Sequence, residues 1–147
     1  MKTVLTVAGS DPSGGAGIQA DIKTITAHGL YATSAITALT VQNTLGVSRV
    51  EPVPVDLVVQ QIDCVVGDIR PDAVKIGMLC NAEIVQAVAQ ALAHGQAECI
   101  VIDPVMISTS GHRLLDQEAV QWMKRKLFPM AQLITCLLYT SDAADDK

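Results

Sequence analysis

The stretch Gly9 to Asp21, GSDPSGGAGIQAD, concentrates glycines, hydroxyls, two carboxylates and an amide. It lies between an apolar run, Val4 to Ala8, and a repeat of Ile18, Ile22 and Ile25 at helical spacing. A strand, a glycine-rich turn and a helix start form a device for holding a polar ligand. Glycine lets backbone approach closely, and the first N–H groups of a helix find no partner within it. The expectation here is a cradle whose N–H groups point outward, unpaired. Further along, Gln42, Met78 and Asp103 carry side chains suited to ligand contact, each just after or at the end of an apolar run.

The elements that must position these residues alternate along the chain. Ala32 to Val41 reads as a second strand, and Gly46 to Val53 as a short edge closed by Pro52 and Pro54. Pro54 starts a helix carrying Val55, Val58, Val59, Ile62, Val65 and Val66. Asp72 to Ile76 is the next strand. Asn81 caps a helix with Ile84, Val85, Val88, Ala91 and Leu92 on one face, stopping at His94-Gly95. Cys99 to Ile102 is a compact strand ending at Asp103-Pro104. Asp116 caps a last helix with Val120, Met123 and Leu127, ended by Pro129, and Leu133-Ile134-Thr135 opens one more strand.

This order predicts an α/β fold with a mostly parallel central sheet. Ligands in such sheets sit at the carboxyl ends of the strands. Gly9 to Gly17, Gln42-Asn43, Gly77-Met78 and Asp103 to Ser110 should therefore line one edge.

Composition narrows the function classes. At 147 residues the chain suits one core-forming domain, half of it apolar and only 3% aromatic, an aliphatic bias that fits a buried parallel sheet. A net charge of −5 argues against a nucleic-acid surface, which needs clustered Lys and Arg. The one basic cluster, Lys124-Arg125-Lys126, reads as a solvated helix end. Cys64, Cys80, Cys99 and Cys136 have neither CxxC spacing nor paired histidines, so they are expected as small buried apolar residues in a reducing cytosol, not as a zinc site. No apolar stretch approaches bilayer length and no cleavable leader is evident; a cytoplasmic protein without membrane or nucleic-acid partners is expected.

Three motif readings compete for the glycine-rich turn. Gly9 to Gly14 has Walker A spacing, but Gly15-Ala16 stands where Lys-Thr is required, so terminal phosphates would meet no cation. Gly15 to Ala20 fits GxGxxA, yet no carboxylate lies near Gln42 to hold a ribose hydroxyl. The third reading takes the whole stretch. TVAGSDPSGGAGIQADIKT, then ITALTVQNT from Ile36 to Thr44, KIGML from Lys75 to Leu79, VIDPVM from Val101 to Met106, and Ser110-Gly111 follow in order. Together they resemble the hydroxymethylpyrimidine/phosphomethylpyrimidine kinases of thiamine biosynthesis, members of the ribokinase-like superfamily, across residues 1–135.

The resemblance implies a ribokinase-like three-layer fold, incomplete here, and ATP-dependent phosphorylation of 4-amino-5-hydroxymethyl-2-methylpyrimidine and its monophosphate, with ATP and Mg²⁺ as cofactors. It implies that Gly9 offers backbone contact and that Asp21 accepts from the exocyclic amino group. Gln42 would match a ring nitrogen plus that amino group through one amide, and Met78 would supply apolar contact to the ring. Asp103 would stand near the phosphate and metal region, with Ser108 to Gly111 as a loop beside it. Plain structural roles remain open for each: a first-turn acid, a turn amide, a core methionine and an Asp-Pro turn. A homodimer is implied for the full-length protein. A pyridoxal kinase-type enzyme and a non-catalytic pyrimidine-binding fragment are the alternatives.

Family features of the C-terminal half have no match here: an Asn-x-x-Glu-type segment, a Lys-Gly-Gly stretch and a Gly-Thr-Gly-Cys anion hole. After Leu133-Ile134-Thr135 the family pattern would continue Pro-Asn-Leu, whereas Cys136-Leu137-Leu138 follows. Residues 136–147 lack periodicity, and CLLYTSDAADD reads as translated sequencing adapter. The expectation is therefore a domain part over 1–135, a foreign tail over 136–147, no catalytic residue retained, and a chain that is catalytically incompetent by itself.

Overall fold

The computed structural model describes residues 1–108, 111 and 113–135. Six strands form one sheet in the order β3-β2-β1-β4-β5-β6. They are β1 (Thr3–Ser10), β2 (Tyr31–Asn43), β3 (Gly46–Pro52), β4 (Ala73–Ile76), β5 (Ile100–Ile102) and β6 (Leu133–Ile134). Every pairing is parallel except β2 with β3, a hairpin that runs past the end of β1. The helices are α1 (Gly17–Ala27), α2 (Val55–Asp68), α3 (Ala82–His94) and α4 (Gln117–Trp122).

Alternation along the strands sorts side chains to two faces. Leu5, Val7, Val74, Ile76, Ile100 and Ile102 are buried in one core with Val58 and Ile62 of α2 and Ile84, Val85, Val88 and Leu92 of α3. Each fully buried aliphatic side chain of this kind contributes about 1.5–3 kcal/mol. Thr6 and Lys75, one residue out of phase, face α1 on the opposite side, which gives three layers.

Both expected caps form. Asn81 Oδ1 accepts from the Ile84 N–H at 2.9 Å and Asp116 Oδ1 from the Ala119 N–H at 2.7 Å. The last helix departs from the regular pitch expected for it. After α4 the chain widens into a π turn over Met123–Leu127 and tightens into a 3-10 turn over Phe128–Met130. Pro129 has no N–H to continue the α ladder, and Met123 and Leu127 are both buried.

The strand order changes direction at β1. The chain leaves β1 through α1 to reach β2 on one side, and later returns through α2 to lay β4 on the other. Loops leaving β1 and β4 therefore diverge to opposite faces, and the carboxyl ends at such a switch are where open α/β sheets take their ligands.

Candidate functional site

The loop after β1 does not present the free N–H groups expected of it. The Asp11 carboxylate turns inward and takes them. Its Oδ1 accepts from the Ser13 N–H at 2.8 Å and the Ser13 hydroxyl at 2.6 Å; its Oδ2 accepts from the N–H of Gly15 at 3.0 Å and Ala16 at 2.8 Å. Asp11 is only 2% exposed. Burial pushes its carboxyl upward, but the hydroxyl and backbone donors outweigh that and hold it below the usual carboxylate range. Gln19, on the first turn of α1, clasps the loop from the other side: its Oε1 accepts from the Asp11 N–H at 2.7 Å and its Nε2 donates to Ser10 Oγ at 3.1 Å.

Gly9 and Met78 meet where β1 and β4 end. The Met78 methyl occupies the place where a Cβ on residue 9 would stand, and the side chain is buried. Thr37 secures this approach by donating its hydroxyl to the Met78 carbonyl at 2.6 Å. Gly17, at φ +57°, starts α1 so close to the Gly9 carbonyl that a Cβ there would collide with it. These two glycines bring the strand end, the helix start and Met78 together.

Asp21 sits on the other face of the sheet. Its carboxylate accepts from Lys75 Nζ at 2.8 and 3.0 Å and from the Thr6 hydroxyl at 2.6 Å. The side chains of Lys75 and Asp21 are 25% and 17% exposed, so the pair is partly open to the strand ends. Gly77 leaves the space into which the ammonium reaches. Sequence reasoning passed over Lys75, although a lysine as the one charged residue of an otherwise apolar strand signals a buried partner. It likewise passed over Asp11, whose signal was an Asx-type turn, Asp-Pro-Ser-Gly.

Gln42 lies near the end of β2, beyond β1. The Thr40 hydroxyl is 2.7 Å from the Ser10 carbonyl oxygen and 3.2 Å from Gln42 Oε1. A hydroxyl has one proton, and the carbonyl can only accept, so the shorter contact takes that proton. An amide turned to donate to Thr40 would then leave its oxygen facing the cleft. That open cleft, about 640 Å³, is lined by Gln42, Asn43, Leu45, Ser48 and Gly111 among others; Gly9, Asp21, Met78 and Asp103 lie outside it.

Asp103 follows β5, and its N–H donates to the Ile76 carbonyl at 2.9 Å. This places it beside the end of β4. Of the loop Ser108 to Gly111, residues 109 and 110 fall outside the described set, as do Cys136 and the rest of 136–147. Among the described residues no three His, Cys, Asp or Glu side chains converge as a metal site. With Asp103 alone and the turn N–H groups held by Asp11, these residues do not by themselves fit a Mg²⁺–nucleotide site, and no step is derived through one.

The cysteines correct the expectation of burial. Cys64 and Cys99 are exposed and Cys80 is half-buried. Cys64 lies two positions after the buried Ile62, on the outward side of α2, and Cys99 stands in the loop before β5. Among the described residues no helix is long and apolar enough to cross a membrane.

Comparison with known proteins agrees with this geometry. The phosphomethylpyrimidine kinase family matches residues 11–141, reaching past Thr135 into the tail set apart above. A hydroxymethylpyrimidine/phosphomethylpyrimidine kinase of Haemophilus influenzae is 50% identical over 92% of this chain and 50% of its own length. The crystal structure of phosphomethylpyrimidine kinase from Clostridium difficile superposes with a TM-score of 0.86 at 48% identity, covering 91% of this chain and 58% of that one. Pyridoxal kinase from Staphylococcus aureus in complex with AMP-PCP matches at TM-score 0.81 and 36% identity, over 95% of this chain and 50% of that one. The chain thus spans about half the length of these relatives. Its sheet is the ribokinase-like one, and the chain belongs to the phosphomethylpyrimidine kinase family.

Proposed function

We propose that this chain is the substrate side of a kinase that phosphorylates 4-amino-5-hydroxymethyl-2-methylpyrimidine and its monophosphate with ATP and Mg²⁺. The observation that carries this reading is the close approach of Gly9 and Met78 at the carboxyl ends of β1 and β4, in a chain of this family. Met78, packed against Gly9, is assigned to apolar contact with the ring. Gln42 supplies one amide to the polar edge, and Asp21 retains carboxylate lone pairs beyond those used by Lys75 and Thr6. Asp103, beside the end of β4, is assigned to the phosphate side. A homodimer of the full-length protein belongs to the same reading.

Calorimetry of the chain with the hydroxymethylpyrimidine tests the assignment. Binding without ATP turnover, weakened at least tenfold by Gln42→Ala, is expected, a loss of about 1.4 kcal/mol. Absence of binding, or equal binding by Gln42→Ala, would remove these residues from the site. The S. aureus pyridoxal kinase match supports a second reading as a pyridoxal kinase-type enzyme. Tighter binding of pyridoxal than of the pyrimidine would favour it.

A further inference from the structure

The turn after β1 has the form of an anion receptor. Gly14 and Gly17 adopt left-handed backbone, at φ +80° and +57°, and N–H groups from Ser13, Gly15 and Ala16 converge on one point. Concave N–H arrays of this kind bind phosphate or carboxylate in other settings. Here the point of convergence is already taken by the Asp11 carboxylate, buried, with a donor set made wholly of this turn.

We infer that Asp11 is an internal anion that fills the receptor and makes this loop anion-excluding. A second anion arriving at Gly15 and Ala16 would find their N–H groups spent and a full negative charge behind them. The Lys23 ammonium donates instead to the Gly14 carbonyl at 2.9 Å, on the exposed side of the turn. Lys23 therefore steadies the turn's outer edge and does not neutralise the carboxylate by direct pairing. The Asp11 carboxyl lies below the usual carboxylate range, so the charge persists throughout the neutral region.

Two consequences follow. The turn is locked before any ligand arrives, because Asp11 ties its start, through the Gln19 clasp, to its end at Ala16. The locked turn presents a neutral-ligand surface at the Gly9 end, and an anionic arm on a ligand is steered elsewhere on the strand ends. Asp11 is thus a positioning and charge-selecting residue, whichever small molecule the strand ends take.

The test uses the full 147-residue chain with acetate and inorganic phosphate as probes. In the parent, neither probe should move the amide resonances of Gly15 and Ala16 beyond a chloride control of matched ionic strength. In Asp11→Ala the midpoint of thermal unfolding should fall, and acetate should raise it again by roughly 3 °C or more while moving those two amides. Asp11→Asn, which keeps shape and one acceptor but not the charge, should be intermediate in midpoint. Phosphate-induced shifts at Gly15 and Ala16 in the parent would overturn the inference, even if Asp11→Ala fails to fold. So would a folded Asp11→Ala indifferent to acetate, or an Asp11→Asn as stable as the parent.

Discussion

Lys75 reaches from β4 across the face of β1 to place its ammonium 2.8 and 3.0 Å from the two carboxylate oxygens of Asp21 on α1. The pair crosses from sheet to helix at the level of Thr6, whose hydroxyl completes it. It joins the helix after the first loop to the strand that delivers Met78.

Removing the cation should cost more than an ordinary surface pair does. Lys75→Met would leave Asp21 with the Thr6 hydroxyl as its remaining side-chain donor among the described residues, a loss of about 1–3 kcal/mol expected from urea unfolding. Replacing both partners, as Lys75→Met with Asp21→Leu, should recover part of that loss, because no unpaired charge remains. A Lys75→Met midpoint equal to the parent's would show that the pair contributes nothing.

Two glycines separate backbone strain from collision. Gly29, at φ +73°, has nothing within 4 Å of where a Cβ would stand, so Gly29→Ala should cost about 1 kcal/mol from the left-handed backbone alone. Gly17 shares that handedness but faces the Gly9 carbonyl, so Gly17→Ala should cost roughly 1–3 kcal/mol more. Equal losses in chemical denaturation would refute the close approach.

Acid should act through Asp11. A carboxyl held below its ordinary value contributes stability that is present above the unfolded value, about 3.9, and lost as pH falls through the lower folded value. Stability of the parent should decline in that window, and Asp11→Asn should flatten the decline while lowering the plateau near neutrality. Asp72 adds a smaller part in the same direction: the Lys2 ammonium and the Thr3 N–H hold its exposed carboxyl low. Parallel pH profiles for parent and Asp11→Asn would exclude the Asp11 contribution.

Cysteine labelling should follow the environments found here. Burial, and to a lesser extent the charge of Asp116, pushes the Cys80 thiol above its ordinary range. Its residue also occupies left-handed backbone at φ +76°. Cys64 and Cys99, both exposed, should alkylate before Cys80 when peptides are followed by mass spectrometry near neutral pH. Cys80 reacting first would contradict the burial.

The α/β order and the Asn81 and Asp116 caps were legible because each rests on local pattern: apolar period, cap residue, glycine or proline at a boundary. The family resemblance was legible for the same reason, being carried by contiguous motifs. The π winding before Pro129 was not, since the spacing of Val120, Met123 and Leu127 fits an ordinary helix equally well. Exposure of Cys64 was not, because the general preference of cysteine for burial gave way to its place on α2, out of phase with the buried Val58 and Ile62.

For the opening motif, the chain determined by itself that a glycine-rich turn joins a strand to a helix, since Gly14 and Gly17 stand where left-handed backbone is required. Which groups that turn leaves available was decided only in three dimensions. Asp11 folds back onto N–H donors up to five residues ahead, and Asp21 meets a lysine 54 residues away. A carboxylate goes to the strongest donors within reach, and that reach is set by packing of the sheet against α1, which no local pattern specifies.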